Sequence, residues 1–364
     1  MKIKLLFTIL LIIFLGLFSG CAFTKELEAD IEQKILIGAV LPETGRFAQY
    51  AEEVKRGMSL VDNNNAGVEI VFADSQSEPK AGVSAYQNLV NNDIHYIITG
   101  GSSISLAIAP LANRDKNIQM AVFSSVADYT SPDDYTFRVT SRSEIESGRL
   151  VQFIVKKDIK DVNVVYVNDS WGQGHLENIK SELTKAGIKI NHLEGLLNTE
   201  MDFKSTISKM KNKNFPMVLI LQDKQAGVFI KQAQELGLRN AKYYGMRAVE
   251  SKQFVDTVKD LSVEIYYPYS FEPDLNQSWV KIYWEKYHEL PTAYVAEGYD
   301  ALSVILVALN KCEVKNTDCV KQILLNDRLD YLGVSGFNGF DENGDVILPF
   351  YIRTVKNGEA VRVN

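Results

Sequence analysis

Residues 161–196 read DVNVVYVNDSWGQGHLENIKSELTKAGIKINHLEGL. DVNVVYVND is a short β-branched run, GHLENIKSELTKAG has amphipathic helical spacing, and IKINHLEGL is a second strand pattern. Strand, helix, strand at this spacing is the unit of a parallel sheet, since parallel neighbours need a crossover and a helix supplies it. The same alternation occurs upstream. KILIGAVLP (34–42) reads as a strand, AEEVKRGMSLVDNNN as its helix and VEIVFAD as the next strand, followed by PKAGVSAYQNLVNN, HYIITG, LAIAPLANRD and IQMAVFSS. Downstream, the second series continues through FKSTISKMKNKN, PMVLILQD, AGVFIKQAQELG and KYYGM. No residue-level repeat links the two series; the architecture repeats. The expectation is an α/β protein of two doubly wound Rossmann-like lobes.

Between the series lies TFRVTSRSEIESG (136–148), and the second series ends at VEIYYPYSFEPD. Two long helical stretches follow, QSWVKIYWEKYHEL and AYVAEGYDALSVILVALNKC. The tail VILPFYIRTVKNGEAVRV reads as a hairpin with Asn357-Gly358 at its turn. If the helices return to the first lobe and the hairpin joins the second, the chain crosses three times and makes a hinge. The expected division is 34–142 with 273–333 for lobe one and 143–272 with 334–364 for lobe two. The crossings then fall near 141–146, 268–273 and 331–337.

The start of the chain differs in kind. Met1 to Lys4 carry positive charge, and Leu5 to Phe18 are almost wholly apolar. That run is shorter than the roughly 20 residues of a membrane span and ends in small residues before Cys21, so residues 1–20 read as an export signal. The cysteine makes it resemble a bacterial lipoprotein signal, with Cys21 the lipidated first residue and polar residues to 33 a tether. The remaining cysteines, Cys312 and Cys319, flank a polar loop in NKCEVKNTDCVKQ, which in an exported chain suggests one disulfide, with two free thiols the alternative.

With 364 residues, 46% of them hydrophobic, the chain can build two cores. A net charge of −7 without a Lys/Arg cluster argues against a nucleic-acid partner. His95, His175, His192 and His288 are scattered, without HExxH spacing or a Cys/His cluster, and no phosphate loop or GxSxG elbow occurs. No cofactor, metal or catalytic site is expected. Asp341 to Asp345 (DENGD) lacks the twelve-residue calcium pattern and reads as a solvated turn. LPETG at 41–45 fits the pattern that sortases cut. It lies far from the C-terminus and directly after a strand, so it reads as a strand-to-loop turn punctuated by Pro42 and Gly45.

Open α/β sheets bind ligands at the C-terminal ends of their strands. Here those ends carry Tyr50 beyond the first loop, Ser102 and Ser103 opening a helix, and Ser124 and Ser125 closing a strand. Free N–H groups at helix starts suit polar or anionic ligands.

At these residues the chain resembles the type I periplasmic solute-binding proteins of the leucine/isoleucine/valine-binding family, receptor components of ABC importers. The matching segments include IGAVLPETGRFAQYAEEVKRGM, SSISLAIAPLA, NDSWGQGHLENIKSELTKAG, YVAEGYDAL and FDENGDV, in order through residues 34–364. The resemblance implies two lobes closing on a small polar ligand, an amino acid or related carboxylate. It further implies a lipid-anchored extracytoplasmic monomer, with a permease as partner. A lipid-anchored sensor presenting its closed form to a signalling partner is the alternative. Transferred residue by residue, the family's ligand positions fall on Tyr50, Ser102 or Ser103, Ser125, Ala127, Trp171, Gln222 and Arg247. Ala127 stands where the family usually has threonine, and Gln222 where it has tyrosine. Arg247 stands where an acid would hold the ligand ammonium. A cation reverses that role, so Arg247 is expected to face the cleft and select a negatively charged or acceptor-rich group. The alternative is pairing inside the protein, with Asp128, Asp223 or Glu250 as candidates.

Overall fold

The computed structural model describes residues 34–62, 67–210, 215–261, 263–326, 329–356 and 358–363. The export signal, Cys21, the tether and Asn357 lie outside the described residues. The first series gives β1 (Ile35–Leu41), α1 (Ala48–Asp62), β2 (Val68–Asp74), α2 (Pro79–Val90), β3 (Tyr96–Gly100), α3 (Ser102–Asp115), β4 (Ile118–Val122) and β5 (Thr136–Arg138). The second gives α4 (Ser143–Lys156), β6 (Asp161–Val167), α5 (Ser170–Lys185), β7 (Lys189–Leu196), α6 (Lys204–Met210), β8 (Met217–Ile220), α7 (Asp223–Glu235), β9 (Lys242–Gly245), α8 (Lys252–Val258) and β10 (Glu264–Tyr269). Helices α9 (Ser278–Tyr287), α10 (Ala293–Lys311) and α11 (Thr317–Leu324) follow, then strands β11 (Tyr351–Lys356) and β12 (Glu359–Arg362).

Two sheets result, with strand orders β2-β1-β3-β4-β5 and β12-β11-β10-β9-β8-β6-β7. The α/β units pair in parallel, while β11 adds antiparallel to β10 and β12 antiparallel to β11. Strands such as β3, β4 and β8 are buried at every residue, as expected for strands covered by helices on both faces. Strand β5 is only three residues long, too short for periodicity to announce it.

Helix α10 returns to the first sheet and packs along α1. The two approach so closely that a Cβ on Gly57 would lie 2.0 Å from the Val295 carbonyl oxygen, and one on Gly298 would lie 2.2 Å from that of Val54. Only glycine fits at this crossing. It fixes the rotation of α10, and with it the aim of the neighbouring Glu297.

The third crossing comes later than 331–337. Asp300 of α10 holds that segment, accepting from the Tyr331 hydroxyl and from Val334 and Ser335 N–H at 2.6, 2.9 and 2.8 Å. Asp345 is then held by Arg138 Nε at 2.5 Å and by the Thr130 hydroxyl at 2.7 Å. The chain leaves the first sheet only beyond Asp345, where Ser141 Oγ accepts Leu348 N–H at 2.7 Å. DENGD is therefore not simply a solvated turn. Asp341 makes the turn by accepting Asn343 and Asp345 N–H, but Asp345 is buried as the partner of an arginine. Cys312 and Cys319 are joined by a disulfide, with Cα atoms 6.0 Å apart. No helix among the described residues is long and apolar enough to cross a membrane.

Candidate functional site

The C-terminal ends of the strands of both sheets converge on one cavity, with about 460 Å³ not filled by atoms and part of it open to solvent. From the first sheet come Phe47 and Tyr50 after β1, Gly101, Ser102 and Ser103 at the start of α3, and Phe123 and Ser125 after β4. The second sheet contributes Asp169 and Trp171 after β6, Gln222 after β8, and Arg247 and Ala248 after β9. Tyr294 of α10 closes the wall.

Local sequence explains the donors. Gly101 takes φ +94°, a left-handed conformation that turns the chain from β3 directly into α3. The Ser102 hydroxyl accepts Ser125 N–H at 3.2 Å, which leaves its own proton to donate. Phe123 also has a positive φ, 38°, rare for a bulky residue, and its N–H donates to Glu297 Oε2 at 2.7 Å.

Arg247 is paired inside the protein, but with none of the three expected acids. Its Nη1 donates to Glu297 Oε1 at 2.5 Å, and its guanidinium lies 4.9 Å from the centre of the Tyr294 ring. Glu250 instead accepts from Arg353 at 2.7 Å, and Asp223 accepts Lys224 N–H at 2.8 Å. Asp128 is exposed. Glu297 Oε2 also accepts the Thr140 hydroxyl at 2.6 Å, and the residue is 1% exposed. The backbone N–H of Arg247 donates to Glu146 Oε1 at 2.8 Å. Burial pushes the Glu146 carboxyl up to about 7, against the pull of the Arg247 charge and N–H. Arg46 and Asp169, 3.1 Å apart, make a second ion pair between loops of the two sheets.

Ser125 Oγ lies 3.3 Å from His175 Nε2, a spacing that invites comparison with a nucleophile–base pair. The geometry does not complete it. Glu146 approaches the same nitrogen, at 3.7 Å, while Nδ1 meets the Ser147 hydroxyl at 3.0 Å, so no carboxylate orients the ring from behind. Burial, and then the Arg247 charge, push the imidazole down to about 3, leaving it a weak base. Among the described residues no group of His, Cys, Asp or Glu is arranged to hold a metal ion.

Of the transferred positions, Tyr50, Ser102, Ser103, Ser125, Trp171, Gln222 and Arg247 are on the cavity wall, and Ala127 is not. Ala127 opens a 3-10 turn that carries it away. Sequence reasoning missed Phe47, Phe123, Asp169, Tyr294 and the supporting Glu297. An acid inside the apolar run AYVAEGYDALSVILVAL was the available signal for Glu297, because a buried charge there needs a partner.

Two α/β sheets facing each other across a cavity walled by strand-end loops define a two-lobe solute-binding receptor. A family model described as periplasmic binding protein matches residues 34–360, and the chain belongs to that family. The leucine-, isoleucine-, valine-, threonine- and alanine-binding protein of Pseudomonas aeruginosa is 26% identical over 328 residues, 86% of this chain and 87% of that protein. The solved leucine-binding protein of Thermotoga maritima superposes with a TM-score of 0.82 at 22% identity, covering 91% of this chain and 98% of that one. A solute-binding protein of an ABC transporter from Rhodopseudomonas palustris, in complex with 3,4-dihydroxybenzoic acid, gives a TM-score of 0.80 at 21% identity, covering 91% and 96%.

Proposed function

We propose that this chain is an extracytoplasmic receptor that captures a small carboxylate-bearing solute between its lobes and delivers it to an ABC importer. The observation that carries the reading is the composition of the cavity. Hydroxyl and helix-start N–H donors come from one lobe, a guanidinium from the other, and aromatic rings from both. Contacts to both lobes stabilise the closed arrangement, so solute binding and closure are coupled. The crossings near 141–146 and 268–273, with the third beyond Asp345, act as the hinge. The same proposal includes a lipid on Cys21, supported by the basic start, apolar run and small residues before that cysteine. It takes the receptor as a monomer.

Small-angle scattering tests the coupling. Saturating solute should reduce the radius of gyration, and an unchanged radius with binding confirmed by calorimetry would argue for a rigid pocket. Cys21→Ser should release the protein from membranes or block its processing. A variant that is processed normally and stays on the membrane removes the anchor from the proposal.

A further inference from the structure

We infer that the cavity selects a carboxylate that lacks an ammonium group and has an aromatic or branched apolar body. Glu297, through its pair with Arg247, is a specificity-determining residue. The inference rests on the receptor reading and narrows its solute class.

Charge is distributed unevenly around the cavity. An ammonium brings three donors and a positive charge, and in a closed cleft it needs a carboxylate to receive them. The carboxylates here already face other groups, although Asp169 Oδ2 in the wall makes no hydrogen bond. Asp169 Oδ1 accepts Gly172 N–H at 3.0 Å, capping α5, and its Oδ2 lies 3.1 Å from Arg46. Glu297 receives the Arg247 guanidinium, the Phe123 N–H and the Thr140 hydroxyl, and is not part of the cavity wall. Asp223 accepts Lys224 N–H, and Glu146 accepts the backbone of Arg247; neither lines the cavity.

The donors are the reverse. The Arg247 side chain is 7% exposed, and among the described residues one of its N–H groups has a hydrogen-bonded acceptor, on Glu297. A guanidinium carries five such donors, so others remain for a solute at the cavity wall. Across the cavity, the Ser102 hydroxyl has its proton to give, and the first turn of α3 presents N–H groups without helical partners. An acceptor-only group satisfies both sides, whereas a second cation beside Arg247 would be repelled at low dielectric. Phe47, Tyr50, Phe123, Trp171 and Tyr294 supply the apolar wall.

Glu297 makes this selective rather than merely cationic. It fixes the fork of Arg247 from the far side and balances its charge, so that carboxylates are recognised by geometry as well as by field. Asp169, the carboxylate in the wall, has its charge balanced by Arg46 at 3.1 Å instead.

The test uses the detergent-solubilised full chain and matched pairs in which a keto oxygen replaces the amine. The pairs are phenylpyruvate against L-phenylalanine and 4-methyl-2-oxopentanoate against L-leucine, with benzoate as a further probe, all by calorimetry. The expected result is binding of an oxo acid or benzoate, with the matching amino acid at least about 30-fold weaker. An amino acid that binds as tightly as its oxo partner overturns the inference while leaving the receptor reading intact. So does failure of every acid when some other solute from a general metabolite screen binds. Failure of every solute in that screen overturns both. In the double variant Arg247→Gln/Glu297→Gln, which removes both charges and keeps both side chains polar, discrimination within a pair should fall below about 3-fold. Discrimination retained there, with unfolding temperature unchanged, removes the pair from the mechanism. If that variant does not fold, Arg247→Lys keeps the charge without the fork and should weaken the oxo acid about tenfold, an unchanged affinity counting against the inference.

Discussion

Among the described residues two arginines are buried, each against a carboxylate distant in sequence, and they differ in what else they touch. Arg138 is wholly buried, with Nε on Asp345 at 2.5 Å, Nη1 on the Val126 carbonyl at 2.5 Å and Nη2 on the Thr130 hydroxyl at 3.2 Å. Each of its nitrogens has an acceptor. Arg247 is almost as buried, yet Glu297 is the hydrogen-bonded acceptor of its side chain among the described residues, and it borders a cavity. A guanidinium surrounded by acceptors ties chain segments together. One that is half satisfied at the edge of a cavity is poised to take acceptors from a solute. The same side chain thus serves structure in one place and recognition in the other.

The largest effect should come from breaking the saturated pair. Arg138→Met leaves the buried Asp345 with only the more distant, partly exposed Arg142 at 3.7 Å and should lower stability by about 3–5 kcal/mol, read as a large fall in unfolding temperature. A shift of a degree or less would mean that the crossing segments are held by something else.

Arg247→Gln should divide differently. Solute affinity should fall by about 2–5 kcal/mol, measured by calorimetry, as when one member of a buried charged pair is removed. Stability should suffer less than in Arg138→Met, because Glu297 keeps the Phe123 N–H and Thr140 hydroxyl. Equal losses of stability in the two variants would erase the contrast.

Opening the disulfide touches neither arginine. Cys312→Ser with Cys319→Ser frees a ring with a sequence separation of 7, worth about 2–3 kcal/mol on the chain-entropy model. The unfolding temperature should drop while solute affinity stays level; a parallel loss of affinity would show that the end of α10 communicates with the site.

The smallest effect is a pH dependence. Burial raises Glu146 from 4.5 to about 7, so its contribution to stability is full below about pH 4.5 and is lost as pH rises through 7. His175 is lowered from 6.5 to about 3 and works in the opposite sense, adding stability that is lost as pH falls below 6.5. Glu146→Gln isolates the first of these. Its unfolding temperature relative to the parent chain should rise between about pH 5 and pH 8, and a flat difference would remove Glu146 from the balance around Arg247.

Local pattern and chain order carried much of this molecule. Alternating strand and helix periodicity from residue 34 onward is a property of neighbouring residues, and so the two-lobed α/β architecture was legible before any contact was known. The residues at strand ends were legible for the same reason: a strand fixes where its own loop emerges, which placed Tyr50, Ser102, Ser125 and Trp171 near one another in expectation. The partner of Arg247 was not. The acids close in sequence, Asp223 and Glu250, were the natural candidates, while Glu297 lies 50 residues away on a helix of the other lobe. Its position depends on the close approach of Gly57 and Gly298, and on a chain that returns to the first sheet before leaving it beyond Asp345. Local periodicity encodes which face of a helix is buried. Which charge that face meets is set by long-range packing, and only the tertiary structure decided it.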